Sequence, residues 1–244
     1  MSILQTHRLY KHFDGVKAVD HLSLSFEKGK ITSVIGPNGS GKSTLINLLT
    51  GFIPFDSGEI IVCGSTRLTV LQPYESKELG ITRTFQDVRL FEQMPVLDNI
   101  LVVLTERGIF GALFEKHGKL HLAKAEEVLT RVGLWEKRHS LARNLSYGQR
   151  KLLEIASVLA MNHDVIFFDE PFAGLFPEML KLVVSVMKEL RTEGKTQILV
   201  EHNMELIREL SDHVIVLDAG GLLAEGVPSE VLGKREVIEA YLGE

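Results

Sequence analysis

Nine consecutive residues constrain this chain more than any other feature: Gly36-Pro37-Asn38-Gly39-Ser40-Gly41-Lys42-Ser43-Thr44. The apolar run 30–35 before them reads as a buried strand, and residues 43–49 after them carry Leu45, Ile46, Leu48 and Leu49 for the packed side of a helix. A glycine-rich turn between strand and helix, spaced G-x-x-x-x-G-K-S, turns successive backbone N–H groups toward one point. The helix N-terminus adds partial positive charge there, so the natural occupant is a chain of phosphates. Lys42 reaches the β- and γ-phosphates, and the Ser43 hydroxyl suits a Mg²⁺ ligand. The stretch predicts a site for a nucleoside triphosphate.

A second element ends in acid. Val165-Ile166-Phe167-Phe168 is an apolar strand followed by Asp169 and Glu170. Such a strand places Asp169 near the metal shell of the phosphate loop and Glu170 where an attacking water is oriented or deprotonated. Apolar strands often end in merely solvated acids, so the pair gains its meaning from the loop beside it. The third element is Leu145-Ser146-Tyr147-Gly148-Gln149. Asn144 and Ser146 suit a plain helix cap, yet a small hydroxyl and a glycine at a helix N-terminus also make an anion site. One chain then holds two half-sites for a single triphosphate. The helical stretch between them points to closure of the site between two chains.

The rest of the chain supports an α/β core. Segments 3–10 and 22–26 are expected as strands of a small N-terminal β region, followed by strands at 59–63 and 80–85. Helical pattern fills 97–104 and 120–132, and a further helix is expected over 146–159. Strands at 165–168, 196–200, 213–217 and 221–225 then alternate with helices at 177–190, 204–210 and 235–241. That alternation predicts a mostly parallel sheet covered on both faces. At 244 residues the chain fits one large domain. We expect a single nucleotide-binding domain over 1–244, with 1–86 and 160–244 forming the β region and nucleotide core and 87–159 a helical subdomain.

A net charge of −5 provides no global basic field for nucleic acid, and a lone Cys63 excludes an internal disulfide and a cysteine-rich zinc site. The first seven residues lack the basic-then-apolar layout of a secretory leader. No apolar run approaches the roughly 20 residues that span a bilayer, so any membrane role is expected to be peripheral.

Together these residues resemble the ATP-binding subunit of an ABC transporter from about Leu4 to Gly243. GPNGSGKS resembles the Walker A motif, VIFFDE the Walker B motif with its catalytic Glu170, and LSYGQ the family signature. The resemblance implies a P-loop NTPase core of the ABC-ATPase type, with an N-terminal antiparallel β subdomain and a helical signature subdomain. It implies ATP and Mg²⁺, with the nucleotide on Gly36, Asn38, Gly39, Ser40, Gly41, Lys42, Ser43 and Thr44, and a partner chain's Ser146, Gly148 and Gln149 segment closing on it. The metal falls to Ser43, Gln86 and Asp169. Gln86 matches the family's Q-loop glutamine, which connects to the membrane partner, and His202 the switch histidine at the γ-phosphate. Phe13, with Val19 nearby, falls where the family stacks an aromatic on adenine; a core phenylalanine is the alternative. One departure stands out: the family commonly places Asp or Asn where this chain has Phe176, in Ala173-Gly174-Leu175-Phe176-Pro177.

The stretches 80–91 and 237–244, together with LSYGQRKLLEIA, resemble the branched-chain amino-acid importer subfamily. This implies permease subunits, a second ATPase subunit, an indirect link to a periplasmic or extracellular solute-binding protein, and a place on the cytoplasmic face of the membrane. Urea or short-chain amide import in the same branch, and a soluble non-transport ABC ATPase, are the alternatives. Apolar groups at Val88, Leu90, Phe91, Met94, Val96 and Leu97, with Phe110, Leu113 and Phe114 following, are candidates for a permease-docking groove; closing the helical subdomain's own core is the alternative.

Overall fold

The computed structural model describes residues 1–85, 88–105 and 115–242. Gln86, the metal and coupling candidate, lies outside the described residues, as do Phe110, Leu113, Phe114, Gly243 and Glu244. The chain divides into two compact units. The first comprises Met1–Arg83, Asp164–Glu170 and Lys188–Glu244, and the second Thr84–His163 and Pro171–Met187.

All named strands belong to the first unit, in two sheets. The antiparallel sheet uses β1 (Ser2–Phe13), β2 (Val16–Leu22), β3 (Ser25–Glu27), β5 (Ser57–Val62) and β6 (Thr66–Leu68). Its path is β2-β1-β5-β6, with β3 also paired to β1. The sequence reading expected strands at 3–10 and 22–26, whereas β1 runs on to Phe13 and turns directly into β2. Leu9 pairs with Leu22 and Phe13 with Val16, with register shifts between. Those irregularities, together with a left-handed Asp14 and Gly15 at the turn, break the alternation that sequence pattern depends on.

The second sheet has the order β11-β10-β4-β9-β8-β7. These are β4 (Ile31–Ile35), β7 (Ile81–Arg83), β8 (Val165–Asp169), β9 (Thr196–Val200), β10 (His213–Asp218) and β11 (Gly221–Gly226). Every pairing is parallel except β10 with β11. Strands β4, β8 and β9 are buried at every residue, which explains their largely apolar sequences, with Asp169 and Gln197 as buried polar exceptions. A core of Leu4, Phe26, Val34, Leu45, Ile46, Ile60, Phe167 and Ile215 joins the two sheets to α1 (Lys42–Leu49). A smaller cluster joins Ile35, Val214 and Val216 to α7 (Met204–Leu210), α8 (Pro228–Val231) and α9 (Arg235–Leu242).

The second unit is helical. Helices α3 (Val96–Leu104), α4 (Glu115–Arg131) and α5 (Tyr147–Met161) pack on one another. Asn99, fully enclosed, ties the approach to α3: its side-chain oxygen accepts from the Phe91 N–H at 2.8 Å and its amide donates to the Pro95 carbonyl at 3.0 Å. The remaining helices are α2 (Pro73–Glu78), in the first unit, and α6 (Pro177–Thr192).

Candidate nucleotide site

Register explains why distant residues converge. Val34 of β4 and Asp169 of β8 both lie level with Val200 of β9. Because these strands run parallel, the residues just beyond them leave the sheet on one edge: Gly36 after β4, Glu170 after β8 and His202 after β9. Ligands in open parallel sheets bind at the carboxyl ends of strands for this reason.

The phosphate loop is shaped by close backbone approaches. A side chain on Gly36, which has φ +151°, would put its Cβ 2.1 Å from the Leu217 carbonyl oxygen and 2.6 Å from Ser40 Oγ. Gly41 has φ +99° and caps α1, and a Cβ there would meet the Ala18 carbonyl at 2.2 Å. Only glycine fits either position without moving backbone. Asn38, Gly39 and Ser43 are exposed, Thr44 is half-buried, and Ser40 is buried. Lys42 folds back over the loop, its ammonium donating to the carbonyls of Gly36 at 2.8 Å and Pro37 at 2.9 Å. Burial lowers the Lys42 pKa, and the neighbouring Glu170 and Asp169 carboxylates pull it back up.

Asp169 is buried at the end of β8, and its Oδ2 accepts from the Arg83 guanidinium at 3.1 Å. The same guanidinium donates to Asn47 Oδ1 on α1 at 2.6 Å. Arg83 thus ties the acidic strand to the helix that begins at the phosphate loop, a role that its place before Gln86 did not reveal. Glu170 adopts a left-handed backbone with φ 48°, and its N–H donates to the Val200 carbonyl at 3.0 Å. Its Oε1 lies 3.2 Å from His202 Nε2. His202 is set in turn by Glu201, whose buried carboxylate accepts from the His202 and Asn203 N–H groups at 2.8 and 3.1 Å. Asn203 then caps α7. Lys42, Asp169, Glu170 and His202 all belong to the first unit.

Phe13 is 45% exposed at the end of β1, with Lys11 Nζ 5.1 Å from its ring centre. Its exposed part leaves surface for a planar ring to meet. Val19 is fully enclosed in the core in this structure.

The Ser146 segment opens α5 in the second unit. Ser146 Oγ accepts from the Gln149 N–H at 3.3 Å, and Gln149 Oε1 accepts from the Ser146 N–H at 3.2 Å, a reciprocal capping box. Both expected features, helix cap and exposed hydroxyl, occur in one residue. Gly148 is buried, and a Cβ there would come within 2.7 Å of Met179 Sδ. Glu154, further along α5, accepts from the Phe85 N–H at 2.9 Å and so anchors the residue just before Gln86. Phe176 is 72% exposed.

The model of the family described as ABC transporter matches residues 19–173. The chain is 37% identical over 253 residues to the probable branched-chain amino acid transport ATP-binding protein LivG of Archaeoglobus fulgidus, spanning 100% of this chain and 96% of that protein. It is 38% identical to the high-affinity branched-chain amino acid transport ATP-binding protein LivG of Salmonella typhimurium, over 99% of this chain and 98% of that one. Among solved structures it resembles a nucleotide-free ATP-binding cassette from an ABC transporter, with TM-score 0.87, 35% identity and full coverage of both chains. The ADP conformation of the cassette MJ1267 gives TM-score 0.86 at 35% identity, also with full coverage of both. The chain belongs to the ABC transporter family. Its fold is that of the ATP-binding cassette, α/β with an antiparallel N-terminal sheet beside a largely parallel core.

Proposed function

We propose that this chain is the ATP-hydrolysing subunit of a membrane importer, with branched-chain amino acids as the cargo. The observation that carries the catalytic part is the shared sheet edge, which sets Lys42, Asp169, Glu170 and His202 around the mouth of one phosphate loop. Cargo is supported by the LivG relatives, which match over nearly their whole length.

ATP lies along Gly36–Thr44, its adenine against Phe13. Lys42 exchanges the carbonyls of Gly36 and Pro37 for phosphate oxygens. The donor set suits Mg²⁺: an exposed Ser43 hydroxyl and a single buried Asp169 carboxylate, which leave further positions to phosphate oxygens and Gln86. Among the described residues no cluster of three or more His, Cys, Asp or Glu side chains could hold a metal without such help. Bound there, the ion neutralises phosphate charge. Glu170 accepts a proton from water as the water oxygen attacks the γ-phosphorus and the bond to the β–γ bridging oxygen breaks, giving ADP and phosphate. His202, whose Nε2 lies 3.2 Å from the Glu170 carboxylate, meets charge on the γ-phosphoryl oxygens. Ser146 and Gly148 of a partner ATPase chain complete the site.

Among the described residues no helix is long and apolar enough to cross a membrane. In this reading permease subunits form the path across the membrane, and the chain works at its cytoplasmic face, as its likeness to transport ATP-binding proteins supports. Phe91 and Met94 present exposed apolar surface next to the glutamine segment, where a permease helix docks. Reconstitution with the permease in vesicles tests the reading: ATP should drive uptake of leucine, and Lys42→Ala should abolish it. Uptake of urea or short amides instead of leucine would overturn the cargo assignment. Failure to assemble with any permease would favour a soluble ATPase.

A further inference from the structure

The first residue of the phosphate loop is held from the far end of the chain. The Gly36 N–H donates to the Tyr241 hydroxyl at 2.6 Å, across 205 positions of sequence. Tyr241 sits on α9, beyond the span 19–173 that the family model matches. Its ring packs against the cluster of Ile35, Val214, Val216, Ala224 and Val237, which fixes where the hydroxyl points. Burial pushes the phenol up to about 12, so it is neutral at physiological pH.

Gly36 is clamped at three points. Tyr241 takes its N–H, the Leu217 carbonyl and Ser40 hydroxyl crowd its Cα, and its own carbonyl accepts the Lys42 ammonium. The residue whose carbonyl holds the phosphate-binding lysine is therefore anchored through its own N–H by the C-terminal helix. We propose that Tyr241 is a positioning residue of the nucleotide site, its hydroxyl fixing the Gly36 peptide so that nucleotide affinity depends on α9 being docked. The inference rests on Gly36–Thr44 being the triphosphate site. By linkage, nucleotide binding must in turn strengthen the docking of α9.

Two measurements on the full chain test it. The first compares wild type with Tyr241→Phe, which keeps the packed ring and removes one oxygen. Binding of a fluorescent ATP analogue should weaken by about 3- to 10-fold, the range of one lost hydrogen bond. Hydrogen exchange of the Gly36 amide should accelerate about tenfold or more, while the Val214 and Val216 amides keep their protection. Wild-type affinity in Tyr241→Phe overturns the proposal. So does weakened binding accompanied by uniformly faster exchange, which would mark a structural residue only. The second measurement needs no variant: adding the ATP analogue to wild type should slow exchange of the α9 amides, and unchanged α9 exchange overturns the proposal. If wild type itself does not bind the analogue, the triphosphate reading fails; if wild type binds and Tyr241→Phe matches it, only the role of Tyr241 fails.

Discussion

At the scale of single residues, Arg83 and Tyr241 show how far the site depends on groups that touch no phosphate. Arg83 and Asp169 side chains are 10% and 6% exposed, so removing one leaves the other charged in a poorly solvated place. Arg83→Met should therefore destabilise the fold by about 3 kcal/mol, measurable by urea unfolding, more than the net worth of the pair. A loss below about 1 kcal/mol would mean that Asp169 is satisfied without it. Tyr241 makes a prediction about pH. Its pKa rises from 10.0 to about 12 in the fold, because burial disfavours the phenolate more than the Gly36 bond favours it. The unfolded chain thus gives up this proton first. The stability that Tyr241 contributes is complete below pH 10 and disappears as pH climbs toward about 12. Wild type should lose stability relative to Tyr241→Phe across that window. Neither residue's role was legible in the sequence, because each depends on a partner brought close only by the sheet order: 86 positions away for Arg83 and 205 for Tyr241.

At the scale of elements, legibility followed burial and capping. Strand β9 and helix α7 occupy 196–200 and 204–210, as the pattern predicts, since the apolar Ile198, Leu199 and Val200 are followed by an Asn203 cap. Short polar pieces escaped: β6 has no fully buried residue, and α2 buries only Ser76. The enclosure of Val19 is not legible in the sequence either, since β1 and β2 shift register between Leu9 and His12. Helix α5 was located from the sequence, but the hold of Glu154 on Phe85 was not. The capping box at its start has a measurable weight. Ser146→Ala should cost about 1 kcal/mol in unfolding experiments, with monomeric nucleotide binding unchanged. If monomeric affinity falls with it, Ser146 acts on nucleotide within its own chain, and closure between chains is wrong.

At the scale of the whole molecule, the first unit alone carries the phosphate loop, the acidic strand end and the histidine, while the second carries the Ser146 segment and Phe176. The elements we propose for chemistry and those we propose for contact with a partner chain thus lie in separate parts of one chain, interleaved in sequence. The central claim is that Glu170 is the base of an ATPase, and Glu170→Gln tests it most directly. The amide is nearly isosteric and keeps a group beside His202, but it takes no proton. Steady-state hydrolysis of ATP by the purified variant, measured beside its affinity for ATP, should fall by about 10²-fold or more while affinity is retained. Near wild-type turnover in Glu170→Gln would contradict the account.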